Sequence, residues 1–295
     1  MQLRAFAKIN LDLRVLGKRD DGYHEVRTIL QTIDWSDEIS IEPADRFEFV
    51  AHGVGSGEDN LVVKAVRAFE NLTGEAVRAR IELIKHVPMG AGLGGGSADA
   101  AVTLLGLQKF FQREIPENEL FEALGRLGSD VPFFAIGGRA LGVGRGNEMT
   151  ALEDDADEAD DGGRAGYGLV VVHPGISIST PEAYSWLTVP DKARSIRGFG
   201  VQSVSGSGED EPRNDFESAV FARHPLLSDI KSEIVKAGAV RAALSGSGSA
   251  IFGIFGSEGQ AVKALPRLSH FGTVKATRPL SRPEYLRSLW GVAKW

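Results

Sequence analysis

The chain has 295 residues, 42% of them hydrophobic and 25% charged, with a formal net charge of −7 and no cysteine. That length accommodates two domains of ordinary size, and the composition is that of a globular protein. The missing thiol excludes disulfides, thiolate catalysis, iron–sulfur ligation and thiolate zinc sites, and it fits a reducing cytoplasm.

In chain order, Leu3 to Ile9 and Leu11 to Leu16 read as short strands. Arg4, Lys8, Asp12 and Arg14 interrupt this start, so it is not expected to be a signal peptide. Glu38 to Glu42 and Phe47 to Ala51 alternate as a further pair of strands. Asn60 to Leu72 places Leu61, Ala65, Ala68, Phe69 and Leu72 at helical spacing, with Gly74 as the stop. Arg78 to Lys85 has strand periodicity. Pro88 then breaks the chain, and a glycine-rich turn leads into a buried helix over Ala98 to Phe111. Glu117 to Leu127 is a second helix, and Ser129-Asp130-Val131-Pro132 has the form of a helix start.

Glu153 to Gly168 is acidic and glycine-rich, and marks a boundary. The run Glu153 to Asp161 holds seven of the 40 acidic residues, and the remaining 33 balance 33 Lys and Arg. A balanced remainder offers no basic footprint for nucleic acid, and the acidic run is expected to be a solvated loop. Beyond it, Leu169 to His173 reads as a strand, Phe216 to Ala222 and Leu227 to Ala237 as helices, and Val240 to Leu244 and Ala250 to Phe255 as strands. Gln260 to Leu268 is helical, Gly272 to Thr277 a last strand, and Gly198 to Pro212 a polar loop. No stretch approaches the roughly 18 apolar residues of a membrane span. The expected class is α+β with mainly antiparallel strands, divided into 1–166 and 167–295.

The segment that carries chemistry is Pro88-Met89-Gly90-Ala91-Gly92-Leu93-Gly94-Gly95-Gly96-Ser97. Glycines open backbone conformations closed to other residues and leave no Cβ between backbone and ligand. A strand before and a helix after would aim several N–H groups at one point, with the helix N-terminus adding partial positive charge, so phosphate can be bound without a cationic side chain. Walker A does not fit, because no Lys-Ser or Lys-Thr follows. Gly90, Gly92 and Gly95 satisfy the dinucleotide pattern G-x-G-x-x-G, with Glu114 near the spacing of a ribose-binding acid, although it falls at a helix end rather than a strand end. A bare tight turn would not need five glycines in seven positions.

Three separated segments then resemble the galactokinase–homoserine kinase–mevalonate kinase–phosphomevalonate kinase (GHMP) superfamily. They are Ala7-Lys8-Ile9-Asn10-Leu11, the P-x-G-x-G-L-G loop from Pro88 to Ala98, and Leu244-Ser245-Gly246-Ser247-Gly248-Ser249-Ala250. Finer details resemble the branch that phosphorylates a cytidyl-methylerythritol in non-mevalonate isoprenoid synthesis. These are Asp21-Gly22-Tyr23-His24, Gly95-Gly96 where many members carry serines, Gly128-Ser129-Asp130-Val131-Pro132-Phe133, His173-Pro174-Gly175 with Ser179-Thr180-Pro181, and Asn214-Asp215. The resemblance implies an N-terminal domain like ribosomal protein S5 domain 2 and a ferredoxin-like C-terminal domain. The acidic excursion after Glu153 and the tail after Arg282 exceed the family pattern and are expected to be peripheral.

The same resemblance implies ATP as phosphate donor and assigns residues to roles. Lys8 and Asp130 would be catalytic, Asp130 as base. Pro88 to Ser97 would hold the phosphates, Asn60 and Lys85 would lie near the adenosine, and Gly246, Ser247 and Gly248 form the late glycine motif. Asn10, Tyr23, His24, Thr180 and Tyr184 would face the substrate, with the rings of Tyr23 and His24 suited to stacking on a pyrimidine. From the residues alone, Asp130 reads equally well as a helix cap and Lys8 as an edge lysine in solvent. The six histidines show no ligand spacing, so Mg2+ would arrive with ATP, touched by Ser97 or Ser129, with no metal held by the protein alone. The partners expected are ATP and a small-molecule substrate, without nucleic acid or membrane, for a monomer or homodimer. Competing readings are another GHMP-type kinase acting on mevalonate, homoserine or a sugar, a dinucleotide-dependent oxidoreductase, and a nucleotide-binding protein without turnover.

Overall fold

The structure is a computed structural model that describes residues 1–153, 167–189 and 212–290. Apart from Glu153 itself, the acidic run, and all of the polar loop 198–212 except Pro212, lie outside the described residues.

Two sheets organise the chain. The first contains β1 (Gln2–Lys18), β2 (His24–Pro43), β3 (Glu48–His52), β4 (Ala79–Ile84), β5 (Arg139–Val143) and β6 (Glu148–Ala151). Its order is β3-β4-β2-β5-β6, with β1 also paired to β2. All pairs are antiparallel except β3–β4, which is parallel. Helices α1 (Leu61–Thr73), α2 (Gly95–Phe110), α3 (Glu117–Leu127) and the single turn α4 (Phe133–Ile136) belong to this half. The two short strands expected at the start are one 17-residue strand, and Glu38 to Glu42 is the end of a 20-residue one.

The second sheet contains β7 (Gly168–His173), β8 (Arg241–Leu244), β9 (Ile251–Phe255) and β10 (Thr273–Thr277), in the order β10-β7-β9-β8 and antiparallel throughout. Helices α5 (Thr180–Ser185), α6 (Glu217–Arg223) and α7 (Pro225–Lys236) fall between β7 and β8, and α8 (Glu258–Leu268) between β9 and β10. That βαββαβ sequence with the fourth strand beside the first is ferredoxin-like. The last helix, α9 (Arg282–Leu289), returns to the first sheet. Leu280, Tyr285 and Leu289 enter the same core as Leu3, Phe69 and Phe134, and the Tyr285 hydroxyl donates to the Phe134 carbonyl. The tail from Arg282 to Trp290 is therefore structural rather than peripheral, because an aromatic side chain of that size is fully buried on the opposite half.

β1 links three apolar cores. Leu3, Ala5 and Phe6 enter the first, Ala7, Ile9 and Leu11 a layer between the two sheets, and Leu13 and Val15 the core of the second half. Irregularities in its pairing with β2 fall between Phe6 and Lys8 and between Asn10 and Asp12, where such breaks re-aim side chains. The middle layer also takes Ala91 and Leu93, so the glycine-rich segment is wedged between the sheets.

Candidate active site

The glycine-rich segment leaves β4 and ends at α2. Gly90, Gly92 and Gly94 have φ of +62°, +75° and +69°, which only glycine adopts freely. Between them Ala91 and Leu93 are buried and anchor the loop, while Met89 points outward. Gly95 and Gly96 open α2, whose first N–H groups have no carbonyl within the helix to bond. A Cβ on Gly92 would run into the Ser245 carbonyl. That contact shows what the late glycine motif does here. Ser245 Oγ donates to the Gly92 carbonyl at 2.9 Å, and Ala250 N–H donates to the Ala91 carbonyl at 3.0 Å. The motif itself is held by Asn214, whose Nδ2 donates to the carbonyls of Leu244 and Gly246, each at 2.8 Å. The second half thus braces the loop of the first.

Beside the loop, Lys8 Nζ lies 3.1 Å from Asp130 Oδ2 and donates to Asn10 Oδ1 at 2.6 Å. Asn10 Nδ2 donates to Thr28 Oγ1 at 2.8 Å, and Thr28 Oγ1 donates to the Asp12 carbonyl at 2.8 Å. This chain of hydrogen bonds fixes the rotamer of each member. Asp130 is not a helix cap. The turn that follows spans only Phe133–Ile136, and it starts at Pro132 without a side-chain cap.

At the other side of the cleft, His24 and Tyr184 stack with ring centroids 4.5 Å apart and planes 18° apart, and Tyr184 meets Phe216 edge-on. One face of His24 is therefore taken by Tyr184. Among the described residues His24 Nε2 is buried without a hydrogen-bond partner. Burial, with the nearby Lys18 charge, holds the His24 imidazole below its ordinary pKa. Burial, and behind it the charge of Asp130, pushes the Tyr184 hydroxyl up. Tyr23 is 53% exposed and lies under the Arg145 guanidinium. Thr180 Oγ1 is 3.3 Å from Ser247 Oγ.

Two expected nucleotide residues have additional structural duties. Asn60 caps α1, with Oδ1 accepting from Val62 N–H at 2.9 Å and Nδ2 donating to the Gly55 carbonyl at 2.7 Å. Lys85 Nζ is bonded to the carboxylates of Asp37 and Asp99, the latter at 2.7 Å, directly behind Gly95. Asp37 Oδ1 also accepts from the N–H groups of His86 and Val87 at 2.6 and 2.8 Å, which fixes the entry to the loop. Burial works against the Lys85 charge, but the two carboxylates outweigh it and raise its pKa. Asp37 and Asp99 were not anticipated. Asp37 was within reach, since it shares strand parity with the buried Trp35, Ile39 and Ile41.

One cleft of about 1040 Å³ collects the residues expected at the site. Its wall includes Lys8, Asn10, Tyr23, His24, Asn60, Lys85, the whole of Pro88 to Ser97, Ser129, Asp130, Thr180, Tyr184, Gly246, Ser247 and Gly248. Glu114 is exposed past the end of α2 and is not part of the wall, and the loop follows a mainly antiparallel sheet rather than a run of alternating parallel strands and helices, so the dinucleotide reading has no structural support.

A wedged glycine loop at a helix N-terminus, an adjacent Lys–Asp pair and a ferredoxin-like second half define the class of GHMP kinases. The family model for the GHMP kinase N-terminal domain matches residues 60–138, and that for the C-terminal domain matches residues 203–273. The chain belongs to the 4-diphosphocytidyl-2-C-methyl-D-erythritol kinase family within that class. The protein of that name from Solibacter usitatus is 43% identical over 298 residues, covering 98% of this chain and 91% of its own, and the one from Citrifermentans bemidjiense is 39% identical over 277 residues, covering 91% and 94%. A crystal structure of 4-(cytidine 5'-diphospho)-2C-methyl-D-erythritol kinase is 32% identical with a TM-score of 0.78, over 95% of this chain and 99% of that one. Homoserine kinase from Cytophaga hutchinsonii, at 18% identity, a TM-score of 0.68 and 96% of each chain, shares the fold.

Proposed function

We propose that this chain transfers the γ-phosphoryl group of ATP to the 2-hydroxyl of 4-(cytidine 5'-diphospho)-2-C-methyl-D-erythritol, a step in non-mevalonate synthesis of isoprenoid precursors, and that it works in the cytoplasm. The observation that carries the reading is the convergence on one cleft of a phosphate-binding loop, the Lys8–Asp130 pair and an aromatic pocket with an unsatisfied His24 Nε2. The loop N–H groups and the α2 N-terminus receive the ATP phosphates. Asp130 accepts the proton of the attacking hydroxyl as its oxygen bonds to the γ-phosphorus and the bond to ADP breaks; the proton then passes to water. Lys8 orients Asp130 and balances charge on the transferring group, and Asn10 orients Lys8. His24 and Tyr184, with Tyr23 at the mouth, receive the cytosine.

Among the described residues no cluster of three His, Asp or Glu could hold a metal ion by itself. The oxygens available on the wall, Ser97 and Ser129 with Asp130, suit a magnesium ion that is bound mainly by nucleotide phosphates. Such an ion would neutralise phosphate charge. Among the described residues no helix is long and apolar enough to cross a membrane.

A coupled ADP-release assay tests the reading. Turnover is expected with ATP and the cytidyl substrate and not with mevalonate, homoserine or galactose. Faster turnover of any of those three would replace the proposed substrate.

A further inference from the structure

The cleft holds more positive charge than its own acids use. Lys8 is paired with Asp130, and Lys85 with Asp37 and Asp99. Two more cations line the wall, Lys18 and Arg145, and neither is in an ion pair with a described residue. The remaining acid of the wall, Asp59, adjoins Asn60 at the start of α1, on the phosphate-loop side.

Arg145 is presented by a fixed turn. It lies between β5 and β6, flanked by Gly144 and Gly146 at φ of +68° and +88°. Val26 N–H donates to the Gly144 carbonyl at 2.8 Å, and Gly146 N–H to the Val143 carbonyl at 3.0 Å. The guanidinium sits 4.5 Å from the centre of the Tyr23 ring. Stacking on an aromatic face orients such a group while its N–H fork remains free. Lys18 pairs across the hairpin with His24, and its charge acts on that ring. Each cation therefore adjoins one of the residues that receive the cytosine.

We infer that Arg145, with Lys18, binds the diphosphate that joins the cytidine to the methylerythritol. This rests on the proposed function and adds the residues that set its selectivity. A diphosphate diester carries two negative charges at neutral pH, and the guanidinium fork matches phosphate oxygens in two-point contact. The site thereby selects a nucleotidyl diphosphate over an uncharged acceptor alcohol, without taking part in the phosphoryl transfer.

The test compares cytidine, CMP and CDP as competitive inhibitors of wild type, Arg145→Met and Lys18→Met, alongside kinetics with the cytidyl substrate. Wild type should bind CDP more tightly than cytidine. Arg145→Met should lose most of that preference, keep its cytidine Ki, and show a substrate KM about tenfold higher or more with kcat and ATP KM nearly unchanged. Its substrate KM should also respond less to added salt, and Arg145→Lys should restore part of the affinity. A CDP-to-cytidine ratio left intact in the Arg145→Met/Lys18→Met double variant would overturn the inference. So would an equal loss for all three ligands, which would make Arg145 a packing partner of Tyr23. A wild-type enzyme that neither turns over the cytidyl substrate nor binds cytidine would overturn the proposed function itself, a result distinct from either.

Discussion

Lys8 and Asp130 form an ion pair that is buried on one side only. Nζ and Oδ2 are 3.1 Å apart, the lysine side chain is 3% exposed, and the aspartate is 35% exposed and faces the cleft. A lysine so deep is costly unless paired, and its carbon stem also packs behind Gly94. The aspartate has no such structural need. It caps no helix, and its open side is the side from which a substrate hydroxyl would come.

Asp130→Asn keeps the size and removes the base. Folding should stay within about 1 kcal/mol of wild type and ATP binding nearly normal, while kcat falls roughly 10²-fold or more. The transition state of phosphoryl transfer is loose, which sets the loss at the lower end of that range. Lys8→Met should cost kcat to a similar order. Because the two residues act as one unit, the double variant should lose less than the product of the single losses. Single-turnover rates of the three variants check this, and a wild-type rate for Asp130→Asn would remove Asp130 from the mechanism.

The phosphate loop can be probed by two glycines with opposite steric surroundings. A Cβ on Gly94 would lie 2.9 Å from Phe134 Cζ and 3.0 Å from Lys8 Cγ, at a φ that disfavours side chains. Gly94→Val should weaken ATP binding and also lower kcat by displacing Lys8. Gly96 has an ordinary helical backbone, and its nearest neighbour would be Leu61 Cδ1 at 3.6 Å. Gly96→Ala should therefore fold as well as wild type or better, by up to about 1 kcal/mol, since alanine is the better helix former. Its Cβ would nevertheless stand where phosphate approaches the helix start. Calorimetry should show normal thermal stability with ATP affinity reduced about tenfold or more, roughly 1.4 kcal/mol. Unchanged affinity would place the phosphates elsewhere.

The loop was readable in the sequence because its glycine excess, the proline before it and the apolar run after it are all local signals. The long first hairpin was not. Lys8, Asn10, Asp12 and Arg14 look like interruptions of a strand, yet all four are buried and bonded to one another or to neighbours across the sheet. Three irregularities in β1 also destroy the simple alternation that a pattern reading follows. β5 and β6 are short, with glycines at 142, 144 and 146 in or next to them, which reads as turn rather than sheet. The role of α9 lies in tertiary packing. Nothing local to Tyr285 shows that its ring fills a space beside Gly137, where no Cβ would fit. The late glycine motif was recognisable by resemblance, but its bracing of Ala91 and Gly92 depends on residues more than 150 positions apart.

His24 tests the pyrimidine end. Its ring is stacked on Tyr184, so its contribution to a substrate comes from the Nε2 edge. His24→Ala should raise KM for the cytidyl substrate about tenfold while leaving the ATP KM alone, the loss expected for one buried hydrogen bond of about 1.4 kcal/mol. His24→Phe keeps the stack without the nitrogen and should show much the same increase. A normal KM in the phenylalanine variant would reduce His24 to packing. Independently, the imidazole should titrate below its ordinary 6.5, because burial and Lys18 both disfavour its charge, and ring-proton NMR reads that midpoint directly.

Asp99 gives the protein a pH dependence that can be isolated by difference. Burial lifts its carboxyl from 3.8 to about 7; Lys85 pulls the other way, and the Asp37 charge adds to the rise. In the unfolded chain the same group ionises near 3.8. Between those values the folded state keeps a proton that the unfolded state has released. The resulting stabilisation is fully present below about pH 4 and is lost as pH rises through about 7. Asp99→Asn cannot titrate, and Lys85 retains Asp37 as a partner. Other carboxylates change stability with pH too, but they do so in both proteins, so the difference between variant and wild type reports Asp99. Urea denaturation at pH 4.5 and at pH 8 should find that difference moving in favour of the variant at the higher pH, by on the order of 1 kcal/mol or more, given about 1.36 kcal/mol per pKa unit. An equal difference at both pH values would mean that Asp99 ionises as it does in the unfolded chain, and that Lys85 compensates its burial in full.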